Sequence, residues 1–353
     1  MNPLYLASLY YDNEIVSGAN KRFDAIGRRL VSRLGDSFKT IVCEGQRPSW
    51  IREENCIFIP PFSSKLGKLK SFLHFGHALR KLEAGTVIND FLPIPFMALR
   101  KHAHFQLIHD FRDFTEYKRD QRPWVATLIL RWELRRSQKI ITVSEFSKRD
   151  GIARCGLRPD KVIRSYNGID GAYGAKSQDT ERTIDLLYVA TFEARKNHKT
   201  LLQALALIDQ PLKVTFIGRD HGLRPAIKEL ADAVHKRTGT AFDFIDRIDE
   251  QDLVETYQRT RTYVCPSVLE GFGMPLVEAL AANCRIACSD IPVFREVCQE
   301  HALYFDPHDP DDLANCLHKS IAMSPPTNAQ QHVEKFSWDT ITDDLLRDIG
   351  YSR

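Results

Sequence analysis

The residues with the clearest chemical content lie in TYVCPSVLEGFGMPLVEALAANCRIACSD, residues 262–290. The pattern predicts a strand ending at Pro266, a short loop carrying Glu270 and the Gly271-Phe272-Gly273 turn, and a helix opening near Pro275. Proline suits the first position of a helix, because the N–H it lacks would be unpaired there in any case. Glycines let the backbone N–H groups of residues 271–274, Met274 included, approach a ligand closely, and a helix N-terminus favours an anion. Glu278 falls one turn inside that helix, with seven residues between it and Glu270. The two carboxylates are therefore expected to face one cleft from different depths. Carboxylates aimed at a site that also attracts phosphate suit the recognition of hydroxyl groups on a ribose or a hexose. The same residues also suit a plain capping loop with an acidic first turn, favourable to the helix dipole. Upstream, Arg195 and Lys196 follow another strand-like run. Adjacent cations in such a loop can neutralise a diphosphate, Arg forking onto two oxygens and Lys acting as a point charge; a solvated basic loop is the plainer alternative.

These residues need elements to hold them. Short apolar runs alternate with amphipathic segments throughout, the pattern of α/β units with parallel strands. In the first half the runs at 3–11, 38–44, 86–90, 105–110, 139–144 and 161–167 are read as strands, with helices over 20–34, 64–83 and 125–136. The second half starts afresh at 184–191 and continues with strands at 213–218, 241–246, 262–267, 285–290 and 302–306. Segment 167–183, with three glycines, few apolar residues and no periodicity, reads as the joint. The expected fold class is α/β with two Rossmann-like parallel-sheet domains, 1–168 and 169–335. A C-terminal segment, 336–353, whose helix runs over 338–349, is expected to cross back to the first domain. Neither half carries a G-x-G-x-x-G turn or a G-x-x-x-x-G-K-[ST] loop, so dehydrogenase and P-loop NTPase readings lose their main support.

Composition narrows the field further. The net charge of +3 divides into +11 over residues 1–170 and −8 over residues 171–353. No stretch approaches the ~18–20 uninterrupted apolar residues of a membrane-spanning helix. The N-terminus, MNPLYLASLYYDNE, has no basic region followed by a long apolar core, so no signal peptide is expected there. Eight cysteines, with no CxxC pair among them, read as reduced packing thiols of a cytoplasmic protein. Cys284 and Cys288 stand four apart without His or Cys partners at zinc spacing, so no metal site is expected.

Glu270-Gly271-Phe272-Gly273-Met274-Pro275, followed by Glu278-Ala279, resembles the signature of the retaining GT-B glycosyltransferases of the large family four. LYVATFEARKNHKTLLQAL (187–205) is similar to the first strand-loop-helix of that family's donor domain, and Asp306-Pro307 and Phe336-Ser337-Trp338 also fit. The resemblance spans residues 86–345 and carries expectations of fold, donor and roles. It implies a nucleotide-sugar donor, with Arg195 and Lys196 binding its diphosphate and stabilising the leaving group. It implies that Glu278 holds the ribose hydroxyls, that Glu270 contacts the transferred sugar, and that the loop around Arg247 and Ile248 faces the base. No cofactor is expected, and no Asp-x-Asp is placed to hold a metal near the phosphates. Two departures stand out. Ala282-Asn283-Cys284 replaces a Cys-Gly or Ala-Gly turn, and Arg247 stands where glycine is common. Asparagine tolerates the left-handed conformation next best after glycine, so the helix stop is expected to survive.

In the first half, Gly18 lies in IVSGANKR (15–22) between the first strand and helix, where the resemblance implies a place near donor and acceptor; a plain turn is the alternative. His109-Asp110 resembles the family's His-Asp at the end of a parallel strand, where open α/β sheets place ligand-contacting groups. His74, His77, His102 and His104 lack that context and are read as surface or packing residues. Ser144-Glu145-Phe146-Ser147 is similar to a stretch near the acceptor side, with Ser144 as a helix N-cap.

Two basic segments, 64–83 and 116–139, interleave Lys and Arg with Leu, Phe and Trp, which suits an anionic membrane surface as well as it suits covering the sheet. The expected activity is hexose transfer with retention from a nucleotide sugar, best read as mannose from GDP-mannose. The expected acceptor is a carbohydrate, lipid-linked and at the inner membrane face, in cell-surface polysaccharide synthesis. UDP-, dTDP- or other GDP-sugars stand behind that donor. A catalytically silent GT-B scaffold and a non-hydrolysing sugar-nucleotide epimerase are the rival readings, and no nucleic-acid motif is present.

Overall fold

A computed structural model describes residues 2–14, 17–61, 65–90, 101–111, 128, 131–132, 134–174, 181–324 and 329–351, without side chains at 65–69. Most of the basic segment 116–139 lies outside the described residues, as do 175–180 of the joint. The chain forms two units, Met1–Gly168 with Trp338–Arg353, and Ile169–Ser337.

The first unit holds a seven-stranded sheet in the order β3-β2-β1-β4-β5-β6-β7. Its strands are β1 (Leu4–Ser8), β2 (Phe38–Cys43), β3 (Cys56–Ile59), β4 (Thr86–Asn89), β5 (Ala103–Ile108), β6 (Lys139–Thr142) and β7 (Val162–Arg164). Every pairing is parallel. The second unit repeats the plan with β8 (Ile184–Val189), β9 (Lys213–Ile217), β10 (Ala241–Ile245), β11 (Thr260–Cys265), β12 (Arg285–Ser289) and β13 (Leu303–Phe305), ordered β10-β9-β8-β11-β12-β13 and again all parallel. Sheets covered on both faces bury both sides of their strands, which is why LYLAS and TIVC read as unbroken apolar runs rather than alternating ones. One strand escapes the sequence reading. Cys56–Ile59 is four residues long at the sheet edge, and three of the four are only half-buried.

Strand order reverses beside β1 in the first unit and beside β8 in the second. At such a switch point the loops leaving the two neighbouring strands diverge, so a crevice opens at their carboxyl ends. In the first unit these loops lead to α1 (Gly18–Leu34) and away from β4. In the second they lead to α4 (His198–Leu205) and α6 (Met274–Ala281). Three other helices matter below: α2 (Lys65–Lys81), α3 (Glu145–Cys155) and α5 (Glu250–Gln258).

The last helix, α7 (Trp338–Asp348), packs on α1 of the first unit. Trp338 and Leu345 are buried there. Arg29 pairs with Asp339 at 3.1 Å, and Arg33 pairs with Asp339 at 3.1 Å and Asp343 at 2.7 Å. In α2 the apolar residues Phe75 and Leu79 join the core around Tyr5, Ile59 and Val87, while Leu73 stays exposed beside Lys70 and His74. His102 and His104 are buried, His102 against the carbonyl of Leu79 at 2.6 Å, and His74 and His77 are exposed. No helix among the described residues is long and apolar enough to cross a membrane.

Candidate functional site

At the carboxyl ends of β8 and β11 the chain brings Arg195, Lys196 and Glu270 into direct contact. The Glu270 carboxylate accepts from Arg195 Nη1 at 3.0 Å through one oxygen and from Lys196 Nζ at 2.5 Å through the other. All three side chains are nearly sealed from solvent, at 13–14% exposure. Burial by itself would raise the Glu270 carboxyl, but the field of Lys196 and then Arg195 outweighs it and holds the group at about 2. Arg195 is gripped on its other edge by Glu193 at 2.7 Å, whose own carboxyl is pushed up by burial and down further by Arg195.

The loop geometry has identifiable causes. Arg195 and Lys196 occupy a 3-10 turn that ends in Asn197, a non-glycine residue in the left-handed region at φ 56°. Its amide donates to the carbonyls of Pro266 at 3.1 Å and Pro307 at 2.7 Å, while its Oδ1 accepts from Thr200 at 2.7 Å. The backbone N–H of Val268 donates to the Arg195 carbonyl at 2.9 Å. The Tyr188 hydroxyl donates to the Lys196 carbonyl at 2.7 Å and lies 3.0 Å from the Ser267 hydroxyl. These bonds tie the cation loop to the loop that carries Glu270. His198, stacked on Phe192 at 4.5 Å, fills the space behind, and its burial lowers the imidazole to about 3, so it is neutral beside Lys196.

Glycine 273 sits at φ 94° at the start of α6, and a Cβ there would meet Phe294 at 2.9 Å. Phe272 is buried edge-on to Phe336, with centroids 5.6 Å apart, and Met274 is buried as well. At the other end of α6, Asn283 adopts φ 57°, the left-handed stop expected of it.

Glu278 has a hydrogen-bond partner of its own. It is buried and accepts from the Tyr257 hydroxyl at 2.9 Å. Tyr173, edge-on to Tyr257 at 5.8 Å, donates to Glu250 at 2.8 Å. Burial first, and then Glu278 and Glu250, drive the Tyr173 phenol well above its ordinary range. The phenol of Tyr263, raised mainly by burial, is pushed further by both Glu278 and Glu270, so it stands within the field of each. Ile248 is half-buried and Arg247 exposed in the loop between β10 and α5, where Asp249 caps α5 through the N–H of Asp252 at 2.8 Å.

Three of the expected residues lie in the first unit. Gly18 is the exposed first residue of α1, capped by Ser17, whose hydroxyl accepts from the Asn20 N–H at 3.2 Å. His109 and Asp110, half-buried, are the first two residues beyond β5, which ends at Ile108 rather than at 110. Ser144 caps α3 by accepting from the Ser147 N–H at 2.9 Å.

Sequence reasoning missed Glu193, Asn197, Tyr188, Ser267 and Tyr257. It also read the joint 167–183 as uncommitted chain, whereas Tyr173 within it is buried against α5 and α6. The signal for Asn197 was available: an asparagine directly before a helix is a cap candidate. The tyrosines gave no local signal, since a tyrosine inside a strand or helix reads as ordinary core.

Two all-parallel Rossmann-like sheets with this strand order define the GT-B class of fold. The Anabaena protein HepE, solved with UDP and glucose, superposes over 100% of both chains with a TM-score of 0.77 and 15% identity. WaaG, a glycosyltransferase involved in lipopolysaccharide biosynthesis, covers 99% of this chain and 100% of its own, with a TM-score of 0.74 and 15% identity. The model of Glycosyltransferase Family 4 matches residues 16–172, and that of Glycosyl transferases group 1 matches residues 173–335. The chain belongs to this glycosyltransferase family. Among curated relatives, O-antigen chain mannosyltransferase B of Escherichia coli is 26% identical over 253 residues, 66% of each chain. Serotype-specific mannosyltransferase WbdA of Escherichia coli is 32% identical over 162 residues, 44% of this chain and 19% of its own. The chain thus spans just under two thirds of the first relative and about a fifth of the second.

Proposed function

We propose that this protein transfers mannose from GDP-mannose, with retention at the anomeric carbon and without a metal ion, to a lipid-linked saccharide in O-antigen or related cell-surface polysaccharide synthesis. The observation that carries the proposal is the Arg195–Glu270–Lys196 cluster at the switch point of the second sheet. Two fixed cations beside the carboxyl ends of parallel strands suit a diphosphate, and they neutralise the charge that grows on a departing nucleoside diphosphate. The sugar and acceptor are supported by the O-antigen chain and serotype-specific mannosyltransferases among the relatives.

In this mechanism Arg195 and Lys196 hold the diphosphate of the donor, and the backbone N–H groups at Gly271–Met274 face it from the start of α6. Glu270, ionised at every physiological pH, contacts the transferred sugar and stabilises oxocarbenium-like charge. Glu278 holds the ribose, with Tyr257 fixing its orientation, and Ile248 faces the base. Gly18, His109 and Asp110 serve the reacting region and the acceptor from the first unit. Transfer follows a front-face, dissociative route in which the leaving phosphate takes the proton of the acceptor hydroxyl. The basic face of α2, with Leu73 exposed, meets an anionic membrane that presents the acceptor; the partner segment 116–139 falls mostly outside the described residues.

Calorimetry with GDP, UDP and dTDP, followed by product analysis with GDP-mannose, tests this reading. GDP is expected to bind, with affinity lost in Lys196→Ala, and NMR of the product should report the donor's own anomeric configuration. Turnover of a UDP-sugar alone, an inverted product, or loss of activity on chelation would refute the corresponding part. Unchanged donor turnover in Glu270→Ala would refute the site.

A further inference from the structure

A second cluster of charge lies in the first unit, one turn along α1 from Gly18, and nothing in the proposed chemistry uses it. Arg22, on α1, is 2% exposed. One of its terminal nitrogens donates to the carbonyls of Ser165 at 3.1 Å and Tyr166 at 2.6 Å and to Oδ1 of Asn167 at 3.1 Å, and the other donates to the Ser165 hydroxyl at 2.8 Å. Those three residues are the last before Gly168, where the first unit ends and the chain enters the second. The remaining donor, Nε, is sealed from solvent and has no hydrogen-bond partner among the described residues.

Asp90 directly follows β4 at the switch point, and its N–H donates to the Ala7 carbonyl of β1 at 3.2 Å. Its carboxylate takes a hydrogen bond from Ser8 at the end of β1, while Oδ1 is sealed from solvent and has no partner among the described residues. Arg22 and Asp90 line one cavity of about 20 Å³, whose other walls are apolar, among them Ala19, Ile88, Leu107 and Leu345. A cavity of that size exceeds the ~10–15 Å³ that one water needs, and a buried water is held by two or more polar partners. Nε of Arg22 and Oδ1 of Asp90 are the unmatched polar atoms of its lining residues, and a single water would satisfy both by accepting from the first and donating to the second.

We propose that one internal water joins Arg22 Nε to Asp90 Oδ1, and that Arg22 and Asp90 are thereby positioning residues. Through that water they lock the switch-point ends of β1 and β4, α1 and the Ser165–Asn167 exit segment into one frame. The network couples the crevice where the first unit would meet its acceptor to the point where the chain leaves it. That last consequence rests on the function proposed above, but the water and the pair do not.

Burial pushes the Asp90 carboxyl up to about 7, with Ser8 and Arg22 pulling against it; Arg22 is the one charged group whose field acts on it among the described residues. A carboxyl raised in the folded state binds a proton that the unfolded chain releases, so its contribution to stability is present at low pH and lost as pH rises through about 7.

A crystal structure at a resolution that shows ordered solvent is the first test. One water within hydrogen-bond distance of both atoms is expected, and a dry cavity or a direct Arg22–Asp90 contact would overturn the proposal. The second test compares the melting temperatures of wild type and Asp90→Asn from pH 5 to pH 8.5. Wild type should gain on the variant as pH falls, and a constant difference would show that Asp90 is not the desolvated carboxyl that the apolar-walled cavity requires and would overturn the proposal. Arg22→Lys, which keeps the charge and loses the fork, should raise KM for a mannose-terminated acceptor with kcat and GDP affinity unchanged. An unchanged KM, or an equal loss of GDP affinity, would refute the positioning role. If GDP did not bind wild type at all, the proposed function would fail while the first two tests stood.

Discussion

Replacing Glu270 by glutamine keeps the shape of the side chain and removes the charge that Arg195 and Lys196 share. A carboxyl held at about 2 against an ordinary value of about 4.3 corresponds to about 3 kcal/mol of folding stability, reduced to about 2 kcal/mol by the water that reaches a side chain 13% exposed. Arg195 keeps Glu193 in the variant, so the loss falls mainly on Lys196, whose ammonium is left nearly sealed from solvent without its carboxylate. Because the folded value is depressed, this stability is fully present above about 4.3 and disappears as pH falls toward about 2. Urea unfolding of wild type and Glu270→Gln at pH 7 should therefore differ by about 2 kcal/mol, and at pH 3 by roughly half of that. Equal differences at the two pH values would refute the ion-pair reasoning, because a packing defect does not titrate. The same variant should keep GDP binding, since it leaves Lys196 and one edge of Arg195 open to phosphate, while losing transfer.

Three further perturbations probe the frame around the cluster. Tyr257→Phe removes the hydroxyl from buried Glu278 and should cost about 1–2 kcal/mol in urea unfolding while weakening GDP binding; unchanged stability would mean that Glu278 finds another donor. Asn283→Gly should be neutral or slightly stabilising, because φ 57° penalises any Cβ, and Asn283→Ala should cost about 1 kcal/mol, because it keeps the Cβ and loses the short polar side chain that offsets it; equal melting temperatures would refute the left-handed stop. Gly218→Ala places a Cβ 2.0 Å from the Ala190 carbonyl oxygen, so the β8–β9 exits must part, at more than about 2 kcal/mol; a wild-type urea midpoint would show that the backbones are not so close.

What the sequence displayed and what it concealed follow from the range of the interactions. Strand positions were legible because both faces of a parallel strand are buried, and LLYV or YVC can be read without knowing the neighbours. Cys56–Ile59 was not, since an edge strand that is half-buried along most of its length leaves only a short and weak apolar run. The Glu270 turn was legible because glycine, proline and a carboxylate fell within a few residues. Its ion pairs, which join residues 74 and 75 positions apart, were visible only as two separate polar loops. The expectation that Glu270 and Glu278 look into the same space came from counting along a helix. It gave no sign of the tyrosines beside Glu278, Tyr257 donating to it and Tyr173 edge-on to Tyr257, the latter contributed by the segment that looked like a linker.

The return of α7 to α1 has a consequence for synthesis. The first unit is a discontinuous domain: its sheet is made before residue 168, but Leu345 of α7, which stands over Leu6, Ile88, Leu107 and Ile141, is made after the whole of the second unit. On a ribosome the Ile169–Ser337 unit can complete its own core while the earlier unit still lacks its final helix. Until then, Arg29 and Arg33 lack Asp339 and Asp343, and the apolar side of α1 around Ile26 faces solvent. The nascent chain therefore carries a half-closed domain through the synthesis of 169 residues, and that interval is when a chaperone would find it.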